Sequence, residues 1–219
     1  AWSEENKNKV ADLLFSTTDG IGLSCWRFNL GAGLDERRIG GRWRTAETFE
    51  VRQGVYDWTR QANERWFLRA AKTRGVPFFL AFANSPPARM TRNGFTNGTK
   101  NLGSTNLKEG YEDQFAAYLA DILAYFRDNP EAAERIHFDY ISPVNEPHVA
   151  WDEGSGQEGC RYSNADIKRV VLALDAALRE RKLRTGIRAP ESNTYKALCA
   201  LDVPMSYRYK TPYGKYIDC

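Results

Sequence analysis

A short motif places a carboxylic acid beside an amide at the end of an apolar segment. The motif is SPVNEP, residues 142–147, and the apolar residues before it predict a β-strand. At the carboxyl end of a barrel strand, Glu146 would point into an active site. Pro147 disfavours helical geometry at the residue before it, so we expect an extended Glu146. Asn145 adds an amide that can bind a substrate hydroxyl; the alternative is a turn with a solvated glutamate.

Polar side chains also end two other apolar segments. Asn84 begins NSPP, whose two prolines stiffen a turn and can place the Asn84 amide in the same cleft. The alternative for Asn84 is a rigid turn without a ligand. Glu191 follows Pro190 in the sequence APESN and supplies a second carboxylate at the same edge. We expect Glu191 to bind hydroxyl groups rather than to perform the chemistry.

One arginine interrupts the first apolar segment. Arg27 lies in CWRFNLG, residues 25–31, and a strand there would bury it. A buried arginine without an anion is costly, so we expect a carboxylate beside Arg27. Such a pair can hold a catalytic carboxylate in its ionised form. A purely structural ion pair is the alternative interpretation.

Aromatic residues surround the Glu146 motif in the sequence. Trp151 and Tyr162 flank the loop that follows Glu146, and Trp43 lies in an earlier long loop. Exposed aromatic rings beside a polar cleft are platforms for sugar rings, whereas the alternative is ordinary packing. His148 follows the motif directly and can line the same site.

Composition and motifs exclude several function classes. The chain has 219 residues and a formal charge of +3, a near-neutral balance that predicts no nucleic-acid partner. Its apolar runs are strand-sized, so we expect no membrane span. The 2 histidines lack metal-site spacing, and no glycine-rich phosphate loop follows a strand. The serines show no nucleophile elbow, so we expect no serine hydrolase. We also expect neither a cofactor nor a metal.

The four cysteines predict no metal or redox motif. Cys25 lies in an apolar run and is expected to be a buried thiol. The others, Cys160, Cys199 and Cys219, lie in loop-like or terminal segments. The cysteines are small core residues or include one structural disulfide, and the sequence does not choose among the three complete pairings.

Strands and helices alternate along the chain. Strands are predicted over 21–30, 76–83, 136–144 and 185–189, and helices over 9–15, 56–73, 115–126 and 163–178 with Ser163 as cap. The alternation predicts a parallel α/β sheet with helical crossovers. The continuous apolar run at 76–83 is typical of a strand covered on both faces. The pattern alone leaves open a barrel or an open sheet.

The chain resembles the glycoside hydrolases of family 30. The resemblance is carried, in family order, by CWRFNLG (25–31), NSPP (84–87), NEP (145–147) and APESN (189–193). It implies a (β/α)8 TIM barrel, of which residues 1–219 would form a partial catalytic domain with about strands two to five. Within the family, the chain looks most similar to the endo-β-1,6-galactanase branch.

The resemblance implies a retaining hydrolysis of β-1,6-linked galactan by double displacement. Glu146 would be the general acid/base, Asn145 would bind the sugar 2-hydroxyl, and Arg27 would lie beneath the nucleophile. Asn84 and Glu191 would lie near the bound sugar. A second carboxylate is needed about 5–5.5 Å from the first. The family places that nucleophile on the seventh strand, after Cys219, so we expect this chain alone to be inactive.

Other functions remain open alternatives. These are a non-catalytic carbohydrate-binding barrel remnant, a related β-1,6-glucanase or xylanase, and a doubly wound α/β protein of unrelated function. We expect a polysaccharide or oligosaccharide substrate, a monomer when complete, and a secreted or periplasmic location. The amino terminus resembles no signal peptide, and a mature or trimmed chain would look the same.

Overall fold

The computed structural model describes residues 2–33, 38–39, 42–98 and 105–193, together with two short strands beyond them. In chain order the elements are α1 (Glu4–Phe15), β1 (Cys25–Asn29), β2 (Glu50–Arg52), β3 (Val55–Tyr56), α2 (Ala62–Thr73), β4 (Phe78–Phe82), α3 (Glu112–Asp128), β5 (Tyr140–Ser142), α4 (Asn164–Glu180), β6 (Gly186–Ile187), β7 (Val203–Pro204) and β8 (Lys210–Thr211). Short 3₁₀ helices occupy Arg42–Arg44, Ala88–Met90 and Glu153–Ser155.

The central element is a parallel sheet with the strand order β1-β4-β5-β6. Each neighbouring pair is parallel, and the helices α2, α3 and α4 connect the successive strands. In register, Arg27 lies opposite Leu80, and Leu80 lies opposite Tyr140. Sequential parallel strands joined by helices confirm the predicted α/β class and form part of a (β/α) barrel.

The two faces of the sheet differ in their burial. Phe28 on one face packs edge-on against Phe126 of α3, with ring centres 5.6 Å apart. Ala81 and Ile141 are buried on this helix-covered face. On the opposite face, Phe78 keeps 49% of its surface exposed. The prediction that residues 76–83 are covered on both faces is therefore wrong, because in the described structure the helices cover one face only.

The predicted strands contain the observed strands but extend beyond them. Leu30 and Val144 are buried although they lie just outside β1 and β5. Apolar patterning follows burial, whereas a strand ends where the hydrogen-bonded ladder ends. The excess length is buried at Leu30 and Val144 but exposed at Ile21, and Leu30 N still donates to Phe82 O over 2.7 Å.

Helix starts depend on caps as well as on apolar spacing. Ser163 and Asp166 form a reciprocal capping box at α4, which confirms the predicted cap. The helix predicted over 56–73 begins only at Ala62. Trp58, which matched the helical spacing, instead stacks on Tyr125 with ring centres 3.9 Å apart. Its position thus reflects aromatic packing before the helix.

The cysteine predictions are corrected in one case. Cys25 is exposed on the uncovered sheet face, so the expectation of a buried thiol is wrong. Cys160 is buried and free. Cys199 and Cys219 lie outside the described residues, and their pairing stays a prediction. None of the helices in the described ranges combines the length and apolar composition required to cross a bilayer.

Candidate active site

A cluster of three side chains joins the middle of β1 to the segments that follow β5 and β6. Arg27 on β1 donates from Nη2 to Asn145 Oδ1 over 2.8 Å. The same nitrogen pairs with Glu191 Oε2, shortly after β6. The backbone supports this approach, because Asn145 and Glu191 form a parallel bridge beyond the ends of β5 and β6. The Arg27 guanidinium also lies 3.3 Å from the centre of the Phe82 ring, which orients its plane.

The surroundings of Arg27 differ from the sequence prediction. Its side chain keeps 40% of its surface exposed, so the prediction of a buried arginine is wrong. The side chain lies on the sheet face that the helices do not cover, and the expected carboxylate partner is present as Glu191. A pair of this exposure stabilises a fold by only about 0–1 kcal/mol. Its main effect here is to orient Asn145 and Glu191.

The backbone of Glu146 is left-handed rather than extended, with φ at +43°. The expectation drawn from Pro147 is therefore wrong. Three hydrogen bonds hold the turn: Glu146 N–H donates to Glu191 O (2.8 Å), and Glu146 O accepts from Val149 N (3.0 Å) and Trp151 Nε1 (3.1 Å). A non-glycine residue in this conformation costs about 1–3 kcal/mol, which these contacts offset. Tertiary contacts therefore determine the direction of the Glu146 side chain.

The electrostatic environment of Glu146 favours its protonated form. Partial burial raises the pKa of Glu146, the Arg27 cation opposes that rise, and the Glu191 carboxylate adds to it. The net effect is a pKa above the ordinary value. A carboxyl with a raised pKa can donate a proton near neutral pH. The site therefore combines a carboxyl of raised pKa with a paired carboxylate at adjacent strand ends.

A cavity of about 610 Å³ borders β1 and the end of β4. Asn84 is half-buried, lines this cavity and hydrogen-bonds Glu158. Asn29 at the end of β1 lines it as well, together with Trp43 and Arg44 from the loop between β1 and β2. The Trp43 side chain keeps 79% of its surface exposed. An exposed aromatic ring beside polar amides is an arrangement suited to a sugar ring.

Two of the predicted aromatic platforms are not exposed. Trp151 keeps only 5% of its surface exposed, and Tyr162 is fully buried. A methyl group added at Gly159 would lie 2.1 Å from the Trp151 ring, which shows that the ring packs directly on this glycine. The predicted exposure of both side chains is therefore wrong. Trp151 instead supports the Glu146 turn through its indole N–H.

His148 lies beneath the Glu146 turn rather than at the surface. Its side chain is buried, and Nε2 lies 2.7 Å from Asn193 Oδ1. Burial lowers the pKa of His148, and the contact with Asn193 opposes that effect. In this conformation His148 connects the segment after Glu146 to the segment after Glu191.

Comparison with known proteins identifies the family of this chain. The family model of O-glycosyl hydrolase family 30 matches residues 1–206. The chain belongs to O-glycosyl hydrolase family 30. This family 30 chain is 27% identical over 216 residues to an endo-β-1,6-galactanase of Hypocrea rufa, covering 87% of this chain and 44% of that protein. It is also 29% identical over 122 residues to an exo-β-1,6-galactobiohydrolase of Bifidobacterium longum, covering 53% of this chain and 8% of that protein.

Solved structures with the same fold include a conserved exported protein from Bacteroides fragilis. That structure is 37% identical, with a TM-score of 0.84, over 94% of this chain and 43% of that one. The catalytic domain of a family 30 xylanase C from Talaromyces cellulolyticus matches with 22% identity and a TM-score of 0.67, over 90% of this chain and 43% of that one. The second likeness shows the fold alone. The family 30 chain spans less than half the length of these relatives.

One buried carboxyl of the family 30 chain was not predicted from the sequence. Glu158, in the loop between β5 and α4, is fully buried. It lies in a polar loop without apolar periodicity, where a glutamate is ordinarily solvated. A sequence signal for its burial is lacking, because its partners Asn29 and Ala46 lie more than a hundred positions away. Within the described ranges, no three His, Cys, Asp or Glu side chains are grouped as a metal site would require.

Proposed function

We propose that this family 30 chain belongs to a retaining glycoside hydrolase that cleaves β-1,6-linked galactan. The observation that carries the proposal is the raised pKa of Glu146 beside the Arg27–Asn145–Glu191 cluster. The names of the Hypocrea rufa and Bifidobacterium longum relatives support the linkage. Residues 1–219 would then be part of one catalytic barrel domain.

The proposed reaction has two steps. Glu146 donates its proton to the glycosidic oxygen while a nucleophilic carboxylate attacks the anomeric carbon, so one C–O bond breaks and another forms. Water then attacks the glycosyl–enzyme ester and gives its proton to Glu146, which releases the sugar with retained configuration. We place the nucleophile outside residues 1–219, because the sequence context of Glu191 does not match the family's nucleophile motif.

The neighbouring side chains would bind and orient the sugar. Asn145 would bind the 2-hydroxyl through its amide nitrogen, since its oxygen already accepts from Arg27. Asn84 and Glu191 would bind other hydroxyl groups beyond the ends of β4 and β6. His148 would hold Asn193 in place rather than contact the sugar, because its side chain is buried.

Oligosaccharide binding tests the substrate class. Calorimetry with the 219-residue chain compares β-1,6-galactotetraose with β-1,6-glucotetraose and xylotetraose. We expect the galactoside to bind at least tenfold more tightly than the other two, and galactan hydrolysis by this chain to be negligible. Tighter binding of the glucoside or the xyloside would refute the galactan assignment, and efficient hydrolysis would refute the position of the nucleophile.

The catalytic role of Glu146 needs the protein expressed from its complete gene. We expect Glu146→Gln to lower kcat by about 10²–10⁴, the usual contribution of a general acid. Glu153→Gln is the matched control, because Glu153 is an exposed glutamate of the same loop that pairs with Arg38. Wild-type turnover in Glu146→Gln would refute the role.

A carbohydrate-binding function without hydrolysis is the second candidate. The exposed Trp43 ring beside the cavity favours it, because a platform binds sugar without a nucleophile. Galactoside binding without turnover in the complete protein would support it over the hydrolase.

We also propose a secreted or periplasmic, monomeric protein. The Bacteroides fragilis protein, described as exported, supports the location. Detection of the protein in the culture medium or periplasm, and a monomer mass by light scattering, test these two points.

A further inference from the structure

Glu158 is a fully buried carboxyl that the proposed chemistry does not use. It accepts hydrogen bonds from Ala46 N over 3.2 Å and from Asn29 Nδ2 over 3.4 Å. The Ala32 amide and the Asn84 side chain also hydrogen-bond this carboxyl. These partners come from the end of β1, the following loop and the end of β4. One side chain therefore connects three separate parts of the cavity rim.

A second set of contacts connects the same segments. Glu158 N–H donates to Arg44 O over 3.4 Å, and Arg44 Nη1 donates to Gln157 Oε1 over 2.7 Å. With the bond from Ala46 N, three hydrogen bonds thus join residues 157–158 to residues 44–46. Trp43 precedes this segment, and the Arg44 guanidinium lies 4.2 Å from the centre of its ring. Of these three hydrogen bonds, the one from Ala46 N ends on the Glu158 carboxyl.

Burial favours the neutral form of this carboxyl. Burial raises the pKa of Glu158 to about 8, although its hydrogen bonds oppose that rise. The titratable group that faces it from α3 is Tyr118, whose pKa rises mainly through burial and also through the nearby Glu158. Among the described residues, the buried Asn29 Oδ1 accepts no hydrogen bond. A neutral carboxyl at this point can both accept from the backbone and donate a proton to such an amide oxygen.

We propose that Glu158 is a positioning residue that holds Asn84 and the Trp43–Arg44 segment in place at the rim of a sugar-binding cleft. The term sugar-binding rests on the function proposed above. Asn84 would then bind a hydroxyl inside the cleft and Trp43 would stack on a sugar at its edge. The placement of both depends on the network around Glu158.

Hydrogen exchange tests the placement without any sugar. Glu158→Ala removes the acceptor, Glu158→Gln keeps a neutral group of the same shape, and Glu153→Gln is the control. We expect Glu158→Ala to accelerate exchange of the amides of residues 44–46 at least tenfold, while α3 exchanges as in the wild type. We expect Glu158→Gln and Glu153→Gln to stay within threefold of the wild type throughout.

Affinity for β-1,6-galactotetraose separates positioning from general stability. We expect Glu158→Ala to weaken binding about tenfold, the equivalent of one lost hydrogen bond of about 1.4 kcal/mol. We expect Glu158→Gln to restore wild-type affinity. If the wild type binds no galactoside while exchange at 44–46 still responds, positioning holds and the proposed function fails.

Two results would overturn the inference. The first is unchanged exchange at 44–46 in Glu158→Ala, and the second is an equal acceleration across the whole chain. If Glu158→Ala does not fold, wild type and Glu158→Gln are compared between pH 6 and 10 after correction for intrinsic exchange. We expect exchange at Ala46 to rise above pH 8 in the wild type only, and identical profiles overturn the inference.

Discussion

The free energy of unfolding of this chain should depend on pH through Glu158. Its carboxyl is fully buried, and burial raises its pKa from the ordinary 4.5 to about 8. Between these two values the folded state holds a proton that the unfolded state releases. The stabilisation from this proton is fully present below pH 4.5 and is lost as the pH rises through 8.

The size of this effect follows from the two pKa values. The interval from 4.5 to about 8, at about 1.36 kcal/mol per pH unit, gives about 5 kcal/mol. That is a large fraction of the 5–15 kcal/mol typical of folded domains. It is an upper limit, because local opening of residues 44–46 and 157–158 can hydrate the carboxylate at a lower cost.

Urea unfolding at pH 5, 7 and 9 measures the effect. We compare wild type with Glu158→Gln, which cannot ionise, and with Glu153→Gln, which loses an exposed carboxylate. We expect the wild type to lose several kcal/mol relative to Glu158→Gln between pH 5 and 9. Glu153→Gln should follow the wild type. Parallel curves for wild type and Glu158→Gln, within about 0.5 kcal/mol, would show that the folded protein tolerates a charge at this position and would refute the reasoning.

Three further predictions address the other site residues. We expect Glu191→Gln to lower the pKa of Glu146, because the Glu191 carboxylate raises that pKa. Carbon NMR of the Glu146 carboxyl measures the titration, and an unchanged titration would contradict the prediction. We expect Trp151→Ala to lower the free energy of unfolding by about 3–5 kcal/mol, because the substitution removes a buried ring. Urea unfolding measures the change, and a change of less than about 0.5 kcal/mol would indicate a surface ring instead. We expect Trp43→Ala to change the free energy of unfolding by less than about 1 kcal/mol but to weaken galactoside binding in calorimetry. An unchanged affinity would show that Trp43 does not contact the sugar.

The sequence could predict the sheet and the gathering of residues at its edge. Strand and helix patterns alternate, and the carboxyl ends of parallel strands meet at one edge. Arg27, Asn145 and Glu191 therefore come together although they are separated by up to 164 positions. Strand order alone does not make this contact, because β4 lies between β1 and β5 in the sheet. The long Arg27 side chain reaches across the uncovered face to Asn145 and Glu191.

The conformation and burial of individual side chains could not be predicted in the same way. Pro147 indicated an extended Glu146, yet contacts from Val149 and Trp151 hold a left-handed turn. The burial of Trp151 depends on Gly159, eight positions later, which leaves room for the ring. The burial of Glu158 depends on the loop after β1. The first two features come from contacts within the loop between β5 and α4, and the third comes from a contact between two loops. Neither kind of contact leaves a periodic pattern in the sequence.

The site brings two carboxyls near one cation, and the two carboxyls differ in their contacts with it. The guanidinium of Arg27 contacts Glu191 and Asn145 directly, whereas it acts on Glu146 only through its field. Partial burial and repulsion from Glu191 therefore raise the pKa of Glu146, and in the described part of the chain no hydrogen bond from Arg27 offsets these two effects. Partial burial thus favours the protonated form of Glu146, a property that the proposed general acid requires. Three hydrogen bonds hold the Glu146 backbone in its turn and so determine where this carboxyl lies.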